Sequence, residues 1–227
     1  ACFYMEQVEG IKFPSIPGFN INEATDILLK RDFDKYREIG EPHPFLVAKG
    51  RDFLIPFYHK HFELWTQSLH FGAKDRLNFV DPKTNLKVGG GLDDVWLNIN
   101  TNCLHIVDYK STSQKSDKGP ITLDDPWKAS YKRQMDLYVW VLRKKGFHVD
   151  DVGYFLYCDG DRFSDYDFLS STTASMNFKM TLIDYKTNDT WIEPTLQDIS
   201  ECLNEIDRPQ HSDYCEYGKF LTQSLNQ

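Results

Sequence analysis

Two aspartates and a lysine, Asp93, Asp108 and Lys110, sit inside an otherwise strand-like run, GGGLDDVWLNINTNCLHIVDYK at residues 89–110. Carboxylates held close together repel unless a cation lies between them, and a hard divalent ion with oxygen ligands is the simplest solution. Lys110 by itself offsets only part of the charge. The chemistry on offer is therefore that of an acid pair around a metal, with an amine beside it. The bland alternative is a solvated hairpin end whose Asp and Lys side chains form weak ion pairs.

Bringing these residues together requires a β-hairpin. Residues 92–99 and 103–109 are rich in Val, Ile, Leu, Trp and Tyr, and the polar pair Asn100-Thr101 suits a tight turn between them. Facing residues in antiparallel strands keep a constant sum of positions, so a turn there sets Leu97 opposite Leu104, Val95 opposite Ile106 and Asp93 opposite Asp108. Alternation puts Lys110 on the same face as Asp108. Asp94 falls on the other face with Trp96 and Asn98, and a turn one residue longer would exchange the two acids.

Around the hairpin the pattern predicts an α/β chain. The prolines Pro14 and Pro17 imply an extended link after a short N-terminal helix. A helix runs over about 23–37, with Asn20 or Asn22 as N-cap and a stop near Gly40-Glu41-Pro42. A short strand is expected at 51–56, and 57–65 is ambiguous. Strands at 77–80 and 86–89 form a hairpin feeding the central one. After a Ser/Lys/Gly-rich loop at 111–120, a helix spans 126–145, then a buried strand 152–158 completes a strand–helix–strand crossover. A strand at 178–185, a helix at 195–206 and a loop at 209–217 follow.

Composition limits the alternatives. The 227 residues, 41% hydrophobic and 15% aromatic, suffice for a full core, so a single domain over 1–227 is expected. Its parts are a helical region at about 1–75, a catalytic core at about 76–160, and C-terminal strands and helix at 161–227. There is no apolar run long enough for a membrane span and no signal-peptide pattern, so a soluble, cytoplasmic protein is expected. The chain begins Ala1-Cys2 rather than with Met, which leaves room for upstream sequence. Five scattered cysteines argue against a disulfide framework, and lone cysteines such as Cys2, Cys202 and Cys215 are more often buried small hydrophobes than a zinc or iron–sulfur site. A net charge of −8 argues against a general nucleic-acid coat. Residues 108–145 nevertheless carry nine Lys and Arg against five Asp, a net positive segment directly after the acids.

On the 126–145 helix Gln134 and Tyr138 are four apart and share a face. The ordered set GxLD at 90–93, DYK at 108–110 and QxxxY at 134–138 resembles the PD-(D/E)XK nuclease superfamily, specifically its RecB-like branch, over roughly residues 20–158. The resemblance implies a restriction-endonuclease-like fold, a central mixed β-sheet flanked by helices. It also implies metal-dependent hydrolysis of DNA in repair, recombination or phage DNA processing, as an exonuclease. Asp93, Asp108 and the carbonyl of Tyr109 would hold Mg²⁺ or Mn²⁺. Lys110 would orient or deprotonate the attacking water, and Gln134 and Tyr138 would position Lys110 and the DNA. Lys128, Lys132 and Arg133 would receive phosphates.

Relatives often add a His or Glu from an N-terminal helix. Here Asp26 is the first choice and Glu23 the second, with His59, His61 and Glu63 as rivals. Some relatives bind an iron–sulfur cluster through one N-terminal and three C-terminal cysteines. Gly218 stands where a CxxC partner of Cys215 would fall, so no cluster is expected. A second DYK, Asp184 to Lys186, lacks a glycine-led acidic strand before it and reads as a strand end. DNA is the expected partner, with a helicase or other recombination factor compatible. The competing reading is a catalytically inactive module of the same fold that binds nucleic acid or a protein.

Overall fold

A run of strand-favouring residues from 103 onward, Leu104, Ile106, Val107 and Tyr109 among them, forms the longest strand among the described residues, and the other strands of the main sheet assemble on it. The computed structural model describes residues 1–12, 20–69, 72–115 and 119–225. The expected link at Pro14 and Pro17, and Asp117 and Lys118 of the positive segment, lie outside the described residues. In chain order the helices are α1 (Cys2–Gln7), α2 (Asn20–Ile39), α3 (Pro44–Ala48), α4 (Phe62–Trp65), α5 (Ala129–Lys144), α6 (Ile192–Asn204) and α7 (Glu216–Leu225). The strands are β1 (Leu54–Pro56), β2 (Asn78–Val80), β3 (Lys87–Gly89), β4 (Asp94–Asn98), β5 (Cys103–Thr112), β6 (Val152–Gly160) and β7 (Phe178–Lys186). They divide into two units, one made of the described residues of 1–18, 81–86 and 190–227, the other of those of 19–80 and 87–189.

The larger unit is built on a five-stranded sheet of order β1-β4-β5-β6-β7. Its β5–β6 pair is parallel and the others antiparallel, and the parallel pair is joined through α5. This is the mixed sheet with flanking helices that the motifs imply. The hairpin register is the expected one, with Val95 opposite Ile106 and Leu97 opposite Leu104. The turn is wider than two residues: Asn98 still pairs with Cys103, and the chain reverses through 99–102 with Asn102 at φ 55°. Two residues more on a symmetric turn leave the sum of positions unchanged.

Other differences have local causes. The expected hairpin of β2 and β3 forms, with Phe79 opposite Val88, but it stands as a separate two-stranded sheet, and β1, within the strand expected at 51–56, takes the edge beside β4. Asn20 and Asn22 both lie within α2, so neither caps it. Its other end is as expected: Gly40 adopts φ 70° and donates its N–H to the Tyr36 carbonyl at 2.9 Å. Residues 126–128 form a 3-10 turn before α5. Glu216 and Tyr217, read as loop, open α7.

One side of the sheet packs on α2, with Phe33, Leu46, Leu54, Trp96, Val107, Tyr109, Tyr154 and Leu156 as a continuous buried cluster. On the opposite side α5 lies so close that a Cβ at Gly153 would stand 2.6 Å from the Met135 sulfur. In the smaller unit the Tyr4 hydroxyl of α1 donates to the Glu205 carbonyl at 3.0 Å, and Lys83 pairs with Glu193 at 3.2 Å. Among the described residues no helix is long and apolar enough to cross a membrane.

Asp94 is 1% exposed and is enclosed by donors. Arg37 of α2 reaches it at 2.5 Å, the Tyr109 hydroxyl at 2.7 Å and the Trp96 indole N–H at 3.1 Å. Removing Asp94 leaves the Tyr109 hydroxyl and the Trp96 indole N–H without their buried acceptor and Arg37 with the half-exposed Asp34 as its remaining carboxylate, so Asp94→Ala is expected to lose about 3–5 kcal/mol in denaturant unfolding. Asp184→Ala, which breaks the half-exposed Arg51–Asp184 pair on β7, is expected to cost under about 1 kcal/mol in the same measurement.

Candidate active site

Alternation along β5 sends Tyr109 toward α2 and Asp108 and Lys110 toward the opposite face. Asp108 is 3% exposed, and Lys110 forms a close ion pair with it. The Lys110 ammonium also contacts the Tyr109 carbonyl at 3.4 Å and lies 4.6 Å from the centre of the Tyr131 ring. Asp93 stands one residue before β4, where its Oδ2 accepts the Tyr109 N–H at 2.8 Å. That bond fixes the acid beside β5.

α2 supplies the third side. Its Asp26 pairs with Lys30 at 2.8 Å, and the same ammonium lies 3.5 Å from Asp93. Thr25, a residue earlier, is hydrogen-bonded to Ser111 at the end of β5. Glu23 is exposed on the first turn. Asp26, Asp93, Asp108, Lys30 and Lys110 thus form one mixed cluster, the acids interleaved with lysines rather than drawn into a tight triangle. The only described triad of potential metal-ligand atoms within 4.8 Å of one another is elsewhere.

Electrostatics follow from this crowding. Burial pushes the Asp108 carboxyl up to about 7; Lys110 works against the shift and Asp93 and Asp26 reinforce it. Burial also raises Asp93, opposed by Lys30 and reinforced by Asp26. For Lys30, burial alone would lower the pKa, but Asp93 and Asp26 outweigh it and raise it. The Oδ2 of Asp108 is buried and, although Lys110 lies beside it, receives no aligned hydrogen bond. Hard oxygen donors, a short supply of hydrogen bonds and disfavoured negative charge fit a divalent cation held by Asp108 with Asp93, Asp26 and the Tyr109 carbonyl.

Gln134 and Tyr138 do share a face of α5, but neither hydrogen-bonds to Lys110. Gln134 donates to the Tyr138 hydroxyl at 3.0 Å, which in turn donates to the Gly91 carbonyl at 2.7 Å. Burial pushes Tyr138 up to about 12. A Cβ at Gly90 would stand 2.9 Å from that hydroxyl, so the glycine of GxLD is what lets Tyr138 reach the backbone leading to Asp93.

Lys128 is corrected. It is 4% exposed, its ammonium bound to the Thr122 carbonyl at 2.6 Å and to Asp125 at 2.9 Å, so it is not presented to a phosphate. Lys132 is half-buried and Arg133 exposed, and both lack ion-pair partners among the described residues. His59 stacks on Trp65 at 4.3 Å and packs against Phe147, a structural role; burial lowers its pKa. His61 lies beside it in the same aromatic group, and Glu63 is exposed on α4. Two members of the cluster escaped sequence reading. Lys30 is four residues after Asp26 and hence on its face; Tyr131 precedes Gln134 by three and Tyr138 by seven, the spacing of a single helical stripe.

The proton on Asp108 ties stability to pH. A carboxyl with a raised pKa in the fold contributes in full below its ordinary value of 3.8, and the contribution is lost as pH rises through about 7. In metal-free buffer Asp108→Asn is therefore expected to gain on the wild type between pH of about 5 and about 8, by on the order of a few kcal/mol. Thermal unfolding of both proteins across that range checks this, and a gap independent of pH would refute it.

No curated protein and no solved structure matches the chain. A family model described as the PD-(D/E)XK nuclease superfamily matches residues 54–219, most of the chain's length. With its mixed sheet, hairpin acids and following lysine, the chain belongs to the PD-(D/E)XK nuclease superfamily.

Proposed function

We propose that this protein is a Mg²⁺- or Mn²⁺-dependent deoxyribonuclease of the RecB-like branch, acting as an exonuclease in DNA repair, recombination or phage DNA processing. The observation that carries the reading is the buried Asp108 carboxylate, short of hydrogen bonds and flanked by Asp93, Asp26 and Lys110, in a chain of this superfamily. Bound there, a divalent cation supplies Lewis acidity and lowers the pKa of a coordinated water.

The chain's own groups do the rest. Asp93 and Asp108 hold the ion, and the Tyr109 N–H keeps Asp93 in place. Lys110 Nζ, steadied over the Tyr131 ring, orients the attacking water and offsets charge gathering on the phosphate. Gln134 and Tyr138 act through the Gly91 carbonyl, setting the approach of the 90–93 segment. Lys132 and Arg133 on α5 are free to meet the DNA backbone without reading bases. Retention of every one of these residue types favours the enzyme over a catalytically inactive binding module.

End-labelled linear DNA and circular DNA, each with Mn²⁺ or Mg²⁺, test this. Cleavage is expected to need the metal, to favour linear substrate, and to fall roughly 100-fold or more in Lys110→Ala and in Asp108→Ala. DNA binding that survives chelator and both substitutions, with no cleavage under either metal, would support the binding module instead.

A further inference from the structure

Outside the nuclease site the smaller unit gathers a second set of ligand atoms from opposite ends of the chain. Cys2 opens α1, while His211 and Cys215 lie just before α7. The two sulfurs are 3.4 Å apart, and His211 Nδ1 lies 3.6 Å from Cys2 and 3.3 Å from Cys215. Around a tetrahedral zinc ion, with Zn–S of about 2.3 Å and Zn–N of about 2.0 Å, the edges of the ligand polyhedron are about 3.8 Å for S···S and about 3.5 Å for S···N. The two S···N edges, 3.6 and 3.3 Å, match that size, and the S···S edge of 3.4 Å is about 0.4 Å shorter. Cys202, the other cysteine near this end, is not part of it.

Two further features point the same way. The Gly218 N–H donates to Cys215 Sγ at 3.3 Å, the kind of outer bond that steadies a metal-bound thiolate. A Cβ at Gly218 would stand 2.5 Å from the His211 side chain, so glycine there is what allows the imidazole to close on the sulfurs. A bond between the two thiols would leave the imidazole, nearly equidistant from both sulfurs, without a reason to be there.

We propose that Cys2, His211 and Cys215 form a structural zinc site whose fourth position is taken by water. All three residues are half-exposed, so solvent reaches the ion. Soft sulfur and imidazole donors select zinc, while the oxygen-rich set at Asp93 and Asp108 selects Mg²⁺ or Mn²⁺, and the two sites load independently. The zinc pins the start of α1 to the segment leading into α7, closing the smaller unit.

The test uses the whole chain purified without chelator. Elemental analysis is expected to find one zinc per chain in the wild type and in Asp108→Asn, and less than about a tenth of that in Cys215→Ser and Gly218→Ala. Cobalt added to chelator-stripped wild type should give near-ultraviolet thiolate charge-transfer bands and the intense visible bands of a tetrahedral centre. Because the cobalt spectrum reads the thiolates in the wild type, a variant that fails to fold does not decide the matter. Absence of both stoichiometric zinc and the cobalt bands would overturn the proposal. So would metal retained by Cys215→Ser, iron with acid-labile sulfide in place of zinc, or a Cys2–Cys215 disulfide in thiol-blocked peptides.

Discussion

The buried Arg37–Asp94 contact governs the larger unit. Asp94 is the first residue of β4 and its neighbour Asp93 joins the cluster around Asp108, so whatever fixes one carboxylate orients the other. Arg37 approaches from α2, also bonds the Phe57 carbonyl at 2.5 Å and Asp34 at 2.9 Å, and lies 3.8 Å from the centre of the Phe62 ring. With Tyr109 and Trp96 completing the shell, Asp94 has no capacity left for a metal. The adjacent acids are therefore separated by the pleat, one enclosed by Arg37, Tyr109 and Trp96 and the other in the mixed cluster, and the helix that locks the first delivers Asp26 and Lys30 to the second.

The placement of the two acids on opposite faces was legible in the sequence, because a period of two is rigid: once Val95 faces Ile106, Asp93 and Asp94 cannot share a face. The wider turn did not disturb it, since Asn98 and Cys103 simply continue the ladder inward. Long periodic elements such as α5 and β6 were readable for the same reason. The β2–β3 hairpin was readable as well, from the turn residues at 81–85 between two short runs, but three-residue strands carry too little pattern to show that this pair stands apart from the main sheet or that β1 takes the edge beside β4.

Side-chain fate was harder to read than backbone. A lysine in a basic segment looks like a phosphate ligand, yet Lys128 closes a Pro-led turn, with its ammonium bound to Thr122 and Asp125. Tyr138 and Gln134 share their predicted face, but distance along α5 hands Lys110 to Tyr131, one stripe position earlier. His211 carried no signal in sequence: its meaning depends on Cys2, 209 residues away, and on a glycine seven residues later.

The placement of the acids also divides the site by how readily each part opens. β5 is paired on both sides, by β4 and β6, and residues 104–109 are all buried, so their amides should exchange with solvent only when the whole unit unfolds. Asp108 is thereby fixed on the slowest clock in the molecule. Asp93 stands just outside the ladder, and Asp26 rides on the N-terminal part of a helix whose firm anchor, Arg37, is three turns further on. In the proposed metal site, adjustment to cations of different radius would therefore fall to α2, whose first turns are tied to β5 by the Thr25–Ser111 hydrogen bond rather than by a strand pairing.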